Sequence, residues 1–412
     1  MATDHAAASS FAGEGRAKMS ARLIGYRRLW LAIHKYLGLL AGVVLVILGL
    51  TGSILVFYTE IDAWLYPELK RVSTPPPETP YRPFPELMTA VRAAIPADGK
   101  LSNMYFPYQT QRELGVEYLK LLGTGREETH NVLIDPYTAK VVGTRRFYGT
   151  NPFQHSLIGV VWKLHYALLL PIYGDIVVGI SGLVLMLSVV TDLYLWWPRG
   201  ARWRQALTIN WNAGTTRVLY DLHNTAGYGV SVVLIILFLS GVSMSLTPWF
   251  VQAVRIFSPV TEMEHLLVHP RPGQSSISIE QAVALVEQQY PEGRLRWVHV
   301  PSDDTTVYVI GKKDVPGVGW TGTRLLAVDP YSSTIEHVVD AKAGSAGDAF
   351  MLWMLPLHSG NAFGLPGRIV VCVTGLLCPV LAITGVYLWL KKRRSKAMAQ
   401  GRRLRPVSVS HR

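Results

Sequence analysis

Four stretches of the chain are apolar over lengths that cross a bilayer, at about 37–58, 172–197, 227–246 and 367–390. A hydrocarbon core of roughly 30 Å needs about 20 apolar residues as helix. Between these runs the pattern shortens. In 59–165 a helical pattern over 85–95 precedes strand-like runs at 101–106, 116–121 and 131–134. In 248–357, Ser278 and Gln281 form a capping-box pattern ahead of a helix over 282–290, and strand-like runs follow at 295–300, 306–310 and 325–328. The expected fold is an integral membrane α-helical protein with four transmembrane helices in two tandem repeats, each repeat carrying a small α+β domain. The expected divisions are an N-terminal segment (1–29), helices at 30–58, 165–197, 219–247 and 358–390, outer domains at 59–164 and 248–357, an inner loop (198–218) and a basic tail (391–412). Residues 1–20, rich in Ala, Ser and Gly, read as a disordered lead, and Pro75–Pro77 as a stiff spacer.

The tandem reading rests on spacing. His34, Gly38 and Gly52 recur as His223, Gly227 and Gly241 at an offset of 189. Asp135-Pro-Tyr137 recurs as Asp329-Pro-Tyr331 at 194, and both read as turns between strands. His165, Gly174, Gly182, Thr191, Tyr194 and Trp196 recur as His358, Gly367, Gly375, Thr384, Tyr387 and Trp389 at 193. Two spans separate equivalent positions, so the halves run parallel rather than inverted.

Charge placement orients the spans. The net charge of +12 could suggest nucleic acid, but the basic residues flank apolar runs. Arg22, Arg27, Arg28 and Lys35 precede the first, Arg199, Arg202, Arg204 and Arg217 fill the middle loop, and Lys391, Lys392, Arg393 and Arg394 follow the last. That is the positive-inside pattern of a multi-pass inner-membrane protein with cytoplasmic termini, outer domains in the periplasm, lipid as its surroundings and no nucleic-acid partner. The first run is too long for a signal-peptide core and lacks a small-x-small cleavage site after it, so it reads as an anchor. The two cysteines, Cys372 and Cys378, sit six apart in one span and imply neither disulfide nor thiolate metal site.

The chemistry-bearing residues are histidines at the membrane edges. By depth, His34 pairs with His223 on the inner side and His165 with His358 on the outer side. Imidazole is a good axial ligand for iron, and bundle cofactor sites are built from facing helices. Gly38 and Gly227, four residues after the inner histidines, would let a flat macrocycle lie against the helix, with Arg27, Arg28 and Lys35 placed for its acidic groups. An interfacial histidine can instead hydrogen-bond headgroups or backbone, and four at repeated positions favour ligation. His155 would replace His165 if 152–170 is a separate interfacial helix. Asp192, standing where the repeat has Gly385, reads as a solvated helix-end residue, with proton carriage or a cofactor bond as the alternative. There is no Cys-x-x-Cys-His, so any haem would be held without covalent attachment.

At Trp30-Leu-Ala-Ile-His34-Lys-Tyr-Leu-Gly38, Leu50-Thr-Gly52, Leu164-His165, Tyr220-Asp-Leu-His223, Leu357-His358-Ser-Gly360 and Ile383-Thr-Gly385, the sequence resembles the PepSY-associated transmembrane family, and within it the iron-regulated inner-membrane siderophore reductases. The resemblance runs from about Arg22 to Arg394. It implies PepSY-like periplasmic domains, two non-covalent b-type haems, and reduction of ferric siderophores to release ferrous iron, with electrons from a quinol or a cytoplasmic reductase. A ferric siderophore would then bind in the cleft between the two outer domains, near Tyr166, Tyr173, Trp353, Ser359 and Asn361. No Rossmann fingerprint or flavin module is visible. Two other classes stay open: a siderophore or iron permease, against which the apolar span centres argue, and a non-catalytic regulator that restrains periplasmic partners.

Overall fold

A computed structural model describes residues 2–403 apart from 71, 74–75, 77–78, 108–111, 123–126, 150–155, 197–206, 264–265, 271–273, 302, 314–322 and 341–342. The proline spacer at 75–77, His155, and Arg199, Arg202 and Arg204 thus fall wholly or partly outside the described residues. The chain divides into two compact units, one of Met1–Leu50, Gly179–Leu239 and Val373–Arg412, the other of Thr51–Val178 and Ser240–Cys372.

Among the described residues, four helices are long and apolar enough to span a membrane, over Tyr26–Leu55, Gly174–Leu195, Thr215–Ser245 and Asn361–Gln400. They belong to α1 (Ala2–Leu55), α5 (Gly174–Trp196), α6 (Thr215–Ser245) and α10 (Gly364–Arg403). The N-terminal lead is a correction: residues 2–20 continue α1, in keeping with the high helix propensity of their alanines. In the first unit, Val230 and Leu234 of α6 pack with Cys378 and Leu381 of α10, and Leu45 and Val189 flank them. A Cβ at Gly49 would meet the Gly375 carbonyl at 2.6 Å, so small residues set how closely α1 and α10 approach.

The second unit is built on α2 (Tyr58–Leu65), α3 (Phe84–Ala94), β1 (Gly99–Tyr105), β2 (Leu114–Leu121), β3 (Glu127–Asp135), β4 (Lys140–Tyr148) and α4 (Leu157–Ala167) from one half of the chain. The other half supplies α7 (Thr247–Arg255), α8 (Ile279–Gln289), β5 (Arg294–His299), β6 (Tyr308–Lys313), β7 (Thr323–Asp329), β8 (Thr334–Asp340) and α9 (Ala346–Ser359). The capping box at Ser278 and Gln281 forms as its spacing predicts. Asp135 and Asp329 each accept the amide of the tyrosine two residues on, at 2.9 and 2.7 Å, which makes both Asp-Pro-Tyr segments turns.

The eight strands form one antiparallel sheet in the order β4-β3-β2-β1-β5-β6-β7-β8. Strands β1 and β5 join it through Asn103↔His299, Met104↔Val298 and Tyr105↔Trp297. This corrects the picture of two outer domains separated by a cleft. One buried core takes Met88, Val91, Val116 and Ile134 from one half and Val283, Val286, Ile310 and Leu326 from the other. Burying such a side chain contributes about 1.5–3 kcal/mol, more than an exposed boundary between halves would retain.

Two helix boundaries also differ from expectation. His165 lies on α4 rather than on the second span, and the chain breaks between α4 and α5 with positive φ at Leu168, Leu169 and Tyr173. His358 lies on α9, which ends at Gly360 (φ 75°) before α10 begins at Gly364.

Candidate functional site

In the first unit, α1 carries His34, α5 carries Ser188 and Asp192, α6 carries His223, and α10 carries Thr384. The rings of His34 and His223 stand 6.4 Å apart at 71°. His34 Nδ1 donates to the Ser188 carbonyl at 2.9 Å. A carbonyl can only accept, so Nδ1 carries the proton and Nε2 carries the lone pair. His223 Nδ1 meets Thr384 Oγ1 at 2.8 Å, and that hydroxyl spends its own proton on the Val380 carbonyl at 2.6 Å. The hydroxyl therefore accepts from His223, which fixes the same tautomer. Anchoring one ring nitrogen while leaving the other basic is how proteins orient metal-binding histidines.

In the second unit, α4 and α9 bring His165 and His358 to 6.0 Å at 61°. Thr51 Oγ1 lies 2.9 Å from His165 Nδ1, and Ser240 Oγ lies 3.0 Å from His358 Nδ1. Each of these hydroxyls precedes a repeated glycine. A Cβ at Gly52 would stand 3.1 Å from His165 Cε1, one at Gly241 3.4 Å from His358 Cε1, and one at Gly385 3.2 Å from His223 Cε1. Three of the four rings thus bring their Cε1 edge against a glycine, beside the hydroxyl just before it.

The fourth ring departs from the rule. Asp192 holds the place of the glycine, with Oδ1 3.9 Å from His34 Nε2 and its side chain only 21% exposed. It is no solvated helix end. Gly38 and Gly227 touch no imidazole: an added Cβ would meet Ser188 Oγ at 3.8 Å in one case, and Asp192 Oδ2 at 3.5 Å and Leu381 at 3.6 Å in the other.

The sequence reading brought the four histidines to notice but missed Thr51, Ser188, Ser240 and Thr384. The available signal was the hydroxyl preceding each repeated glycine: Thr51-Gly52, Ser240-Gly241 and Thr384-Gly385, with Thr191-Asp192 as the variant.

Ring centres 6.4 and 6.0 Å apart leave room for one metal ion between the imidazoles of each pair, metal–nitrogen bonds being ~2.0 Å long. Among the described residues no three of His, Cys, Asp or Glu converge to hold an ion. Two imidazoles are too few for a tetrahedral protein site and suit a metal that brings its remaining ligands with it. The donor set therefore fits haem.

The chain matches the family described as PepSY-associated TM region over residues 31–392. A comparison with curated proteins finds no match.

Proposed function

From its membership of the PepSY-associated TM family, we propose that this chain is a haem-containing inner-membrane oxidoreductase that passes electrons to ferric siderophores on the periplasmic side. The observation that supports this most directly is the pair of histidine couples, 6.4 and 6.0 Å between ring centres, each with its Nδ1 atoms anchored. His34 and His223 would hold one b-type haem, and His165 and His358 a second. When bound, haem supplies reversible one-electron chemistry at its iron.

The chain's own residues supply orientation and electrostatics. Ser188 and Thr384 hold the inner imidazoles in the ligating tautomer, and Thr51 and Ser240 orient the outer pair. The basic flanks of the spans support a topology with both termini in the cytoplasm and the sheet in the periplasm. Overall, each ferric ion gains one electron and the donor, a quinol or a cytoplasmic reductase, loses it. Reduction weakens an oxygen-donor site built for the harder ferric ion, so the metal leaves as ferrous iron. The halves of the chain, with the same order of elements, would descend from a tandem duplication.

The test is the absorption spectrum of the purified protein, oxidised and then reduced with dithionite, together with haem stoichiometry. Two haems per chain are expected. His34→Ala and His223→Ala should each remove the same one, and His358→Ala should remove the other and abolish capture of ferrous iron from a ferric siderophore. Full haem content in either inner variant would overturn that pairing. A haem-free wild-type protein would instead favour the non-catalytic regulator.

A further inference from the structure

The inner and outer histidine pairs share one construction with a single departure. A hydroxyl residue and then a glycine stand beside three of the rings: Thr51-Gly52 at His165, Ser240-Gly241 at His358 and Thr384-Gly385 at His223. Beside His34 the chain reads Thr191-Asp192, so a carboxylate occupies a place where the other three sites have only a hydrogen. The outer pair has no such group, since Gly52 and Gly241 both hold that place.

The placement of this carboxylate matters more than its presence. His34 Nδ1 is committed to the Ser188 carbonyl at 2.9 Å, and Asp192 Oδ1 lies 3.9 Å from Nε2, the nitrogen left with its lone pair for a metal. A carboxylate that supports a metal-binding histidine ordinarily takes the N–H of the other ring nitrogen. Asp192 faces the ligating side instead. Its second oxygen points toward α6, where a Cβ at Gly227, one turn beyond His223, would stand 3.5 Å from Oδ2. The group therefore reaches toward both helices that carry the inner histidines. Its side chain is largely buried, and among the described residues no lysine or arginine pairs with it, Arg217 being held by Asp221 at 2.9 Å. An ionisable side chain kept within a membrane span is costly and marks function more often than packing.

We propose that Asp192 holds the reduction potential of the inner haem below that of the outer one, and so gives electron flow along the chain an outward direction. The inference rests on the haem reading and adds to it a positioning residue that acts through His34 and through space. Both sites offer two imidazoles, so axial ligation alone cannot make them differ. A charge can. Oxidation adds one positive charge at the iron, and an anion beside a ligating nitrogen favours the oxidised form. Between membrane helices that interaction is screened far less than in water. Electrons then pass downhill from the lower-potential inner site to the outer one.

Spectroelectrochemical titration of the purified full chain at one pH measures both potentials, and His223→Ala identifies the inner step by removing it. The wild type should show two steps, the inner one lower. Asp192→Asn keeps the shape, and Asp192→Gly installs the residue found beside the other three rings. Each should raise the inner step by at least a tenfold change in its ferric-to-ferrous ratio, about 59 mV for one electron, and leave the outer step in place. An inner step that does not move in Asp192→Asn would refute the proposal while leaving the haem reading intact. So would a wild-type inner step that already lies above the outer one. Loss of the inner haem from both variants, read from stoichiometry, would make Asp192 a structural group and refute it as well. A wild-type protein without haem would instead remove the reading on which the proposal stands.

Discussion

The hydroxyl of Thr384 does two things at once: it satisfies the Val380 carbonyl one turn back, and it accepts from His223 Nδ1. Because the first bond consumes the hydroxyl proton, the second has one polarity, and His223 is held with Nε2 basic. Thr191 is its counterpart 193 positions earlier but donates to the Ser188 carbonyl at 2.7 Å and leaves His34 to that same carbonyl. Thr384→Val keeps the shape and deletes the anchor. It should weaken haem retention at the inner pair by about 10- to 100-fold, the usual effect of losing such a supporting partner. Thr191→Val should change it little. Transfer of haem to apomyoglobin measures both, and equal losses would show that the hydroxyl is not what orients the ring. The histidines were visible in the sequence as repeated spacing, whereas their anchors were not. Which nitrogen a hydroxyl reaches depends on how α6 and α10 are set against each other, and one-dimensional spacing does not carry that.

At the scale of elements, α2 and the 3-10 turn Pro67–Lys70 are tied to β4 through Asp62, whose side chain is 4% exposed between Arg145 Nη1 at 2.6 Å and Lys70 Nζ at 3.0 Å. Burial alone would raise the Asp62 carboxyl, but Arg145 and then Lys70 outweigh it and hold the pKa below its ordinary 3.8. A depressed carboxylate contributes stability that is complete above its unfolded pKa and is lost as pH falls through the folded value. Arg145→Met strands a buried charge and should destabilise the sheet unit by about 3–5 kcal/mol. It should also start acid unfolding at a higher pH, because burial then opposes ionisation with only Lys70 against it. Tryptophan fluorescence against pH checks both effects, and an unchanged acid transition would mean that Asp62 does not hold these elements together. Strand β4 itself was illegible in the sequence, as was β8. Both are edge strands, largely exposed, with Lys140, Arg145 and Arg146 in one and Glu336 and His337 in the other. Charged edges suppress the apolar alternation that marks a strand, and they also discourage pairing with other chains. The inner strands and both sheet helices were legible because one face of each is buried.

For the whole molecule, the sequence carried the number of spans, but it could not show that the strands within 59–165 and those within 248–357 share one sheet. Joining β1 to β5 is a choice between edges that look alike locally, and it is settled by the core that α3 and α8 fill together. That joining makes the topology testable at two points at once. Lys140 and Thr334 are exposed, begin β4 and β8, and follow turns in which Ala139 and Ser333 share φ of 56° and 57°. In a chain with Cys372 and Cys378 replaced by alanine, Lys140→Cys and Thr334→Cys should both react with a membrane-impermeant maleimide applied from the periplasmic side, and to similar extents. Labelling of one alone would set the two ends of a continuous hydrogen-bonded sheet on opposite sides of a bilayer, which that pairing forbids. Protection of both until the membrane is opened would reverse the proposed orientation. It would then place Arg27, Arg28 and the Lys391–Arg394 run on the outer side, against the bias that retains such residues in the cytoplasm.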